Sequence, residues 1–516
     1  MAVSITNDPQ LDAADDSTAE SRTAPVDSRV ISQTISVSHS VSRDERGMLP
    51  LVLLAALVAF AAMVRIIAAH NDLWLDEIIS LQIAKAVKTP WQIFSAVHSD
   101  NNHHLNTLYL YFVRAQDSAP VYRYLSLLWG VALVPAGYWL LARRSRVEAV
   151  ILAGLLACSY PLIHFSSEAR GYSGALFGSM LACAALTRWM AETGESRRSF
   201  FLGLTYGMAM VVAILSHLTA CLVWLPLTLG SLLVLLERPG RMKWLLRWAG
   251  VNLLPAFVLA ALYFFDLRFL TELGGQPMTV LHGLGRMLAL AIGWPAKDAA
   301  TVCVVLVPLI GLTIWQLTAE SKAKEPLAIL LALIYLVPLA CMLLLQPAFF
   351  SPRYFLVVVP FFYVPLAMLL ARLVERRTGQ LALAGLLMLF VTGQTYLYAT
   401  FVRVGRGQFT AAIEYMLAHN SSTQLSLSSN QDFRSSVELS YFAPRLLHDR
   451  HLVYVPRDRQ GSAPTDWFIL HQEGYEASGP ATLKQPGQPT WYRTAYFGAS
   501  ELSGQAWTIY SHQPPD

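Results

Sequence analysis

What most constrains this chain is a repeated run of about twenty apolar residues, the length at which a helix crosses a bilayer. The first run spans Met48 to about His70, and others recur at about 120–142, 147–164, 172–190, 200–217, 219–236, 245–265, 301–318, 326–345, 354–372 and 380–400. About eleven such segments in one chain require an all-α polytopic membrane protein. Composition agrees, with 54% hydrophobic and 14% charged residues, against roughly a quarter charged in soluble domains. A net charge of +4 and the lack of a basic, aromatic-laced patch argue against a nucleic-acid partner. The five cysteines, Cys158, Cys183, Cys221, Cys303 and Cys341, all fall inside apolar runs and read as small packing residues.

The segments outside the spans divide the chain further. Residues 1–47 are rich in Ser, Thr, Asp and Ala and read as a disordered cytoplasmic tail. The first run has no small-residue cleavage site and reads as a permanent signal anchor. Arg65, near its outer end, is long enough to snorkel to the headgroups. Basic residues cluster in alternate short connections: Arg143, Arg144 and Arg146; Arg188, Arg197 and Arg198; Arg238, Arg241, Lys243 and Arg247; Lys322 and Lys324; Arg372, Arg376 and Arg377. The positive-inside rule makes that side cytoplasmic. The spans, 48–400, then place the loop 71–119, the turns 164–172 and 346–353, the loop 266–300 and the C-terminus outside. Residues 401–516 carry β-like runs at Gln424–Ser428, His451–Val455, Asp466–His471, Trp491–Tyr496 and Trp507–Ser511, with helical stretches near 408–418 and 434–447. That alternation predicts a small α/β domain on the outer face.

Polar residues gather where spans end on this outer side. The stretch from Asn71 to Arg114 leaves the first span at Asp72, Asp76 and Glu77 and continues through His98, Asp100, Asn101, Asn102, His103, His104 and Asn106. Ionisable groups at such exits point to function. If the exit is helical, Asp72 and Asp76 share a face, whereas Asp76 and Glu77 diverge by about 100°. Glu168, Arg170 and Tyr172 sit at a second exit and Arg353 and Tyr354 at a third. A carboxylate facing two guanidiniums suits an anionic, lipid-linked substrate: arginine forks bind phosphate oxygens, and a carboxylate takes a proton from an attacking hydroxyl.

Four motifs carry a family resemblance: WLDE at 74–77, the long polar first loop, SSEARGYS at 166–173 and SPRYF at 351–355. Together they resemble the GT-C fold glycosyltransferases of the family 39 group, which includes protein O-mannosyltransferases and lipid A aminoarabinose transferases. The resemblance covers about 50–400. It implies a GT-C membrane domain in the bacterial cytoplasmic membrane, with the first outer loop catalytic. It also implies transfer of a sugar, with inversion, from a polyprenyl-phosphate donor to a glycan, lipid or protein acceptor at the outer face. By position, Asp76 matches the family aspartate that acts as base or acceptor-orienting group and Glu77 its acidic neighbour, while Arg170, Arg353 and Tyr354 match the donor-phosphate contacts. Asp100, Asn102, His103, His104, Glu168 and Tyr172 fall where substrate or acceptor is held. The family's His-Pro-Pro-Leu-like stretch is here His-His-Leu-Asn, without prolines.

Each residue also has a plainer reading. In that reading Asp76 is a helix cap or interfacial anchor, Arg170 pairs with Glu168 or snorkels, and Arg353 holds its loop through carbonyls. Tyr172 and Tyr354 fit an interfacial aromatic belt. His98, Asp100 and His103 are competent ligands for a divalent metal, although hydrogen bonding to sugar or backbone serves them as well. His217 and His282 read as interfacial or satisfied polar groups. A lipid-linked-sugar flippase would place charges near mid-membrane, in repeated halves. A non-enzymatic scaffold would not need the acid and arginine set.

Overall fold

The computed structural model describes residues 28–516, apart from 193–195, 271–278, 296–306, 308–309, 312–313, 317, 319–324, 346–350, 376, 461–462, 474–477, 485–488, 501 and 515–516. The chain divides into two compact units, Met1–Leu51 and Val52–Asp516. In the first, only the start of helix α1 (Ser28–Ala68) is described. The tail expected over 1–47 thus lies largely outside the described residues, as does most of the run at 301–318.

The first loop is itself helical, with α2 (Leu75–Ala86), α3 (Gln92–Ser95) and α4 (His104–Val113). Then follow α5 (Ala119–Leu141), α6 (Arg146–Cys158), α7 (Tyr160–Ser166), α8 (Tyr172–Ala191), α9 (Arg197–Ser216), α10 (Cys221–Leu236), α11 (Arg241–Phe265) and α12 (Val280–Ala291). The membrane half closes with α13 (Pro326–Leu345), α14 (Val359–Arg372) and α15 (Arg377–Val404). Among the described residues nine helices are long and apolar enough to cross a membrane, or ten if α6 and α7 are one bent span. The protein is a polytopic membrane protein.

The bend between α6 and α7 is 58° and has a chemical cause. Pro161 has no N–H, so the Ala157 carbonyl loses its helical donor. Arg65 supplies the substitute: it is fully buried and donates to the carbonyls of Ala157 (3.2 Å) and Leu156 (3.1 Å). Gln394 Oε1 in turn accepts from the freed Tyr160 N–H at 2.6 Å. Arg65 therefore does not snorkel to the headgroups; it is spent inside the bundle on a broken helix.

Helix α8 is among the most deeply buried of the described spans, and its sequence explains why. Its glycines, alanines and serines let backbones approach closely, the usual basis of helix association in lipid. A Cβ on Gly174 would sit 2.3 Å from Ser216 Oγ, and one on Gly178 2.5 Å from the Ala209 carbonyl.

The C-terminal part holds α16 (Phe409–Ala418), β1 (Gln424–Ser429), α17 (Asp432–Leu446), β2 (His451–Tyr454), β3 (Trp467–Glu473), β4 (Thr482–Leu483), β5 (Trp491–Phe497) and β6 (Gln505–Ser511). All five expected strands and both helices are present; β4, only two residues long, gave no sequence signal. The strand order is β2-β1-β3-β6-β5-β4, parallel across β2, β1 and β3 and antiparallel beyond. This layer packs on the first loop. Leu75, Ile78 and Leu81 of α2 share an apolar core with Met416 of α16, Phe442 of α17 and Ile509 of β6. The helix that carries Asp76 is thus sandwiched between the bundle and the sheet layer.

Candidate active site

The site starts where α1 ends. Trp74 is extended (φ −98°, ψ 172°) and α2 begins at Leu75. Asp76 and Glu77 therefore occupy a helical first turn, where the peptide dipoles favour acids. Their directions diverge, as helical geometry requires, and their surroundings differ completely. Asp72 precedes the helix and does not share a face with Asp76. Its carboxylate instead caps α16, accepting from Thr410 N–H (2.8 Å) and Oγ1 (2.9 Å).

Glu77 is wholly buried and saturated. It accepts from Arg123 Nε (2.7 Å) and Nη2 (2.6 Å), from the Ala169 N–H (2.6 Å) and from the Trp74 N–H (3.2 Å). The Trp74 bond closes the first turn of α2. Arg123 uses its other donors on the carbonyls of Ala69, Asn71 and Asp72. This neutral, fork-shaped pair pins the exit of α1 to α5 and to the SSEARGYS turn.

Asp76 is only partly buried, and a single oxygen bears its contacts. Its Oδ2 accepts from Arg170 Nη1 and, at 3.0 Å, from Arg353 Nη1. Its Oδ1 has no partner among the described residues. Both guanidiniums lie near the Trp74 ring, at 5.7 and 6.0 Å from its centroid. Two cations against one anion leave one positive charge in excess at this centre. The Arg353 Nε is buried with no partner among the described residues.

Around this centre the first loop supplies His103. Its Nε2 accepts from Arg170 Nε (3.2 Å) and Nη2 (2.8 Å), which makes Nδ1 the protonated nitrogen. That Nδ1 donates to the Ser216 carbonyl at 3.3 Å. Burial and then the Arg170 charge keep the imidazole neutral, well below the usual histidine range. Gly171 lets the turn approach: a Cβ there would lie 1.7 Å from the Ser216 oxygen. Asn106 and Ser126 hold the backbone of the turn at the Ala169 and Arg170 carbonyls, each at 2.7 Å. Tyr172 lies under the Arg170 guanidinium, 5.1 Å from it. Tyr354 follows Arg353 and is half-buried.

Other expected site residues are engaged elsewhere. Glu168 is fully buried and accepts from Arg406 Nε (3.1 Å) and the Ser503 hydroxyl. Burial alone would raise its carboxyl, but the bond from His164 and the Arg406 charge hold it near 2. His98 and His104 both turn to Asp266, at 3.0 and 2.8 Å. Asn102 donates to the loop carbonyls of Ile93 and Val97, and Asp100 is exposed. With His98 on Asp266 and His103 on Arg170, the set considered for a metal is not assembled. Among the described residues no group of three His, Cys, Asp or Glu side chains is arranged to hold one.

The fold has a counterpart among solved structures. A crystal structure of ArnT from Cupriavidus metallidurans in the apo state, 13% identical, matches with a TM-score of 0.52 over 89% of this chain and 97% of that one. The fold is GT-C. The same enzyme bound to undecaprenyl phosphate matches at a TM-score of 0.49 (12% identity, 90% and 98% covered). An oligosaccharyltransferase from Archaeoglobus fulgidus, complexed with Zn and sulfate, matches at 0.42 (13% identity, 81% and 67% covered). No family model matches the sequence, and no curated protein matches it.

Several residues of this centre escaped the sequence reading. Arg123 carried a usable signal: a charge just inside an apolar run needs a partner. Arg406 looked like an ordinary residue after a span, yet it donates to Glu168, the His164 carbonyl (2.6 Å), Ser167 Oγ (2.9 Å) and Asn71 Oδ1 (3.1 Å). Asp266 ends α11 and gave no motif. His217 interrupts two apolar runs and was read as a satisfied polar group; its ring lies 4.6 Å from that of His103.

Proposed function

We propose that this chain is an integral-membrane glycosyltransferase. It moves a sugar from a polyprenyl-phosphate donor to a hydroxyl of a glycan, lipid or protein at the outer face of the bacterial cytoplasmic membrane. One observation carries the reading: Asp76 Oδ2 lies between the guanidiniums of Arg170 and Arg353, and Arg353 Nε is buried with no partner among the described residues. The carboxylate stands where an anionic substrate would neutralise the excess charge. A polyprenyl-phosphate sugar is a phosphodiester with one negative charge, which matches an excess of one, whereas a diphosphate-linked donor would bring more. The ArnT likeness in fold, and the undecaprenyl phosphate bound in one structure of that enzyme, are consistent with this donor class.

In this mechanism Arg170 and Arg353 hold the donor phosphate. The acceptor oxygen attacks the anomeric carbon from the face opposite the phosphate, so the centre inverts. The bond from that carbon to the phosphate oxygen breaks, and polyprenyl phosphate leaves with both electrons. The two guanidiniums stabilise the charge that develops on it. The acceptor proton passes to Asp76 Oδ1, the oxygen left open. Glu77 has no open valence and acts as a positioning residue rather than a second base. The C-terminal α/β layer lies on the outer side, with the N-terminus cytoplasmic, and braces α2. A scaffold would have no use for Asp76 and Arg353 in one centre, and a flippase would carry its charges deeper.

The test is incubation of purified protein with a panel of polyprenyl-phosphate sugars and acceptors, scored for sugar release or transfer. Turnover of at least one donor is expected. A folded protein that turns over none, across hexose, aminosugar and pentose donors, contradicts the reading.

A further inference from the structure

His217 sits in a break that the fold makes for it. Helix α9 ends at Ser216, and the backbone is extended at His217 (φ −161°, ψ 131°) before a short 3-10 turn, Leu218–Ala220. The imidazole Nδ1 accepts from the Thr219 N–H at 3.1 Å and contacts Thr219 Oγ1 at 2.9 Å. An Nδ1 that accepts a backbone N–H leaves the proton on Nε2. That Nε2–H has no partner among the described residues. The ring is stacked on Tyr172, with centroids 4.4 Å apart, and lies 4.6 Å from His103. Its orientation is therefore fixed by the cap and by two neighbouring rings, which lie 5.5 Å from each other.

Charge completes the picture. Burial, then Arg170, then Arg353 hold the His217 pKa down at about 3. The ring is thus neutral at physiological pH and still carries its Nε2–H. A neutral, oriented donor close to two guanidiniums adds direction where they add charge. A phosphodiester offers two non-bridging oxygens, more than one fork need occupy.

We propose that His217 is a substrate-binding residue whose Nε2–H donates to a non-bridging oxygen of the lipid-linked donor's phosphate. This rests on the glycosyltransferase reading above and deepens it. Thr219 and Tyr172 act through His217, one setting its tautomer and the other its plane.

The test measures binding of a short-chain polyprenyl monophosphate, farnesyl phosphate, to detergent-purified protein. His217→Asn keeps a cap for the 3-10 turn, since asparagine is a good capping residue, but withdraws the outward donor. It should melt like the wild type and bind farnesyl phosphate about tenfold or more weakly, the size of one hydrogen bond to a charged oxygen. His217→Gln, whose amide reaches about as far as Nε2, should recover most of that loss. If His217→Asn does not fold, His217→Gln against His217→Met asks the same question at constant side-chain length. Equal affinity within either pair overturns the assignment. Arg353→Ala is the internal reference. If it weakens binding while the His217 pair does not differ, only the His217 role fails; if neither matters, the phosphate site itself is misplaced.

Discussion

Two carboxylates that stand side by side in the chain, Asp76 and Glu77, end in opposite chemical situations. Glu77 is sealed, with four donors filling its oxygens and Arg123 cancelling its charge. Asp76 is open, with one oxygen shared by two arginines from distant exits and the other without a partner among the described residues. A second buried acid, Glu168, is balanced in charge by Arg406 and accepts from Ser503, although its Oε2 has no partner among the described residues. Residue type does not separate a substrate-binding group from a brace. Spare valence combined with unbalanced charge does, and of these three acids Asp76 has both.

The comparison can be broken at several points. The largest effect is expected at the sealed pair: Arg123→Met strands the buried Glu77 and should cost about 3–5 kcal/mol of stability, read as a collapse of the melting temperature in detergent. A mild change there would mean that the pair is not a brace. Next comes Asp76→Asn, which keeps shape but not basicity. It should fold, still bind donor, and transfer sugar at least ~100-fold more slowly in single turnover. Glu77→Gln should instead lose stability before it loses chemistry. If the chemical defect follows Glu77 and not Asp76, the two acids have been assigned the wrong way round.

The smallest effect concerns pH. The folded Glu168 carboxyl sits near 2, below the ~4.3 of a free glutamate. Its contribution is fully present above ~4.3 and is lost as pH falls toward 2. Glu168→Gln should be less stable at pH 6 and flatter between pH 4.5 and 2.5 than the wild type. Parallel melting curves for the two proteins in that window would show that Glu168 is not held down by Arg406 and His164.

Much of this was legible in the sequence because lipid is an exacting solvent. Apolar runs of bilayer length place the helices whatever the tertiary detail, and the exits of three spans showed Asp76, Arg170 and Arg353 as candidates. The roughly 100° divergence of Asp76 and Glu77 also followed from sequence, since it depends only on the helical turn. What the sequence did not show was partnership across the fold. Glu168 and Arg170 are two residues apart, and a local pair looked natural, but Glu168 binds Arg406, 238 positions away. Arg65 read as a snorkelling side chain because the orphaned carbonyls behind Pro161 are visible only once the helices are packed. His217 read as a bland polar group because its value lies in what stacks on it.

The central claim is that the Asp76–Arg170–Arg353 centre receives the donor's phosphate. Its most direct test is an experimental structure of the full chain, determined in lipid nanodiscs with a polyprenyl monophosphate added. The account predicts the phosphate within hydrogen-bonding distance of Arg170 and Arg353, with Asp76 beside it and Glu77 still locked to Arg123. A phosphate bound elsewhere, with both arginines still closed on Asp76, would contradict it.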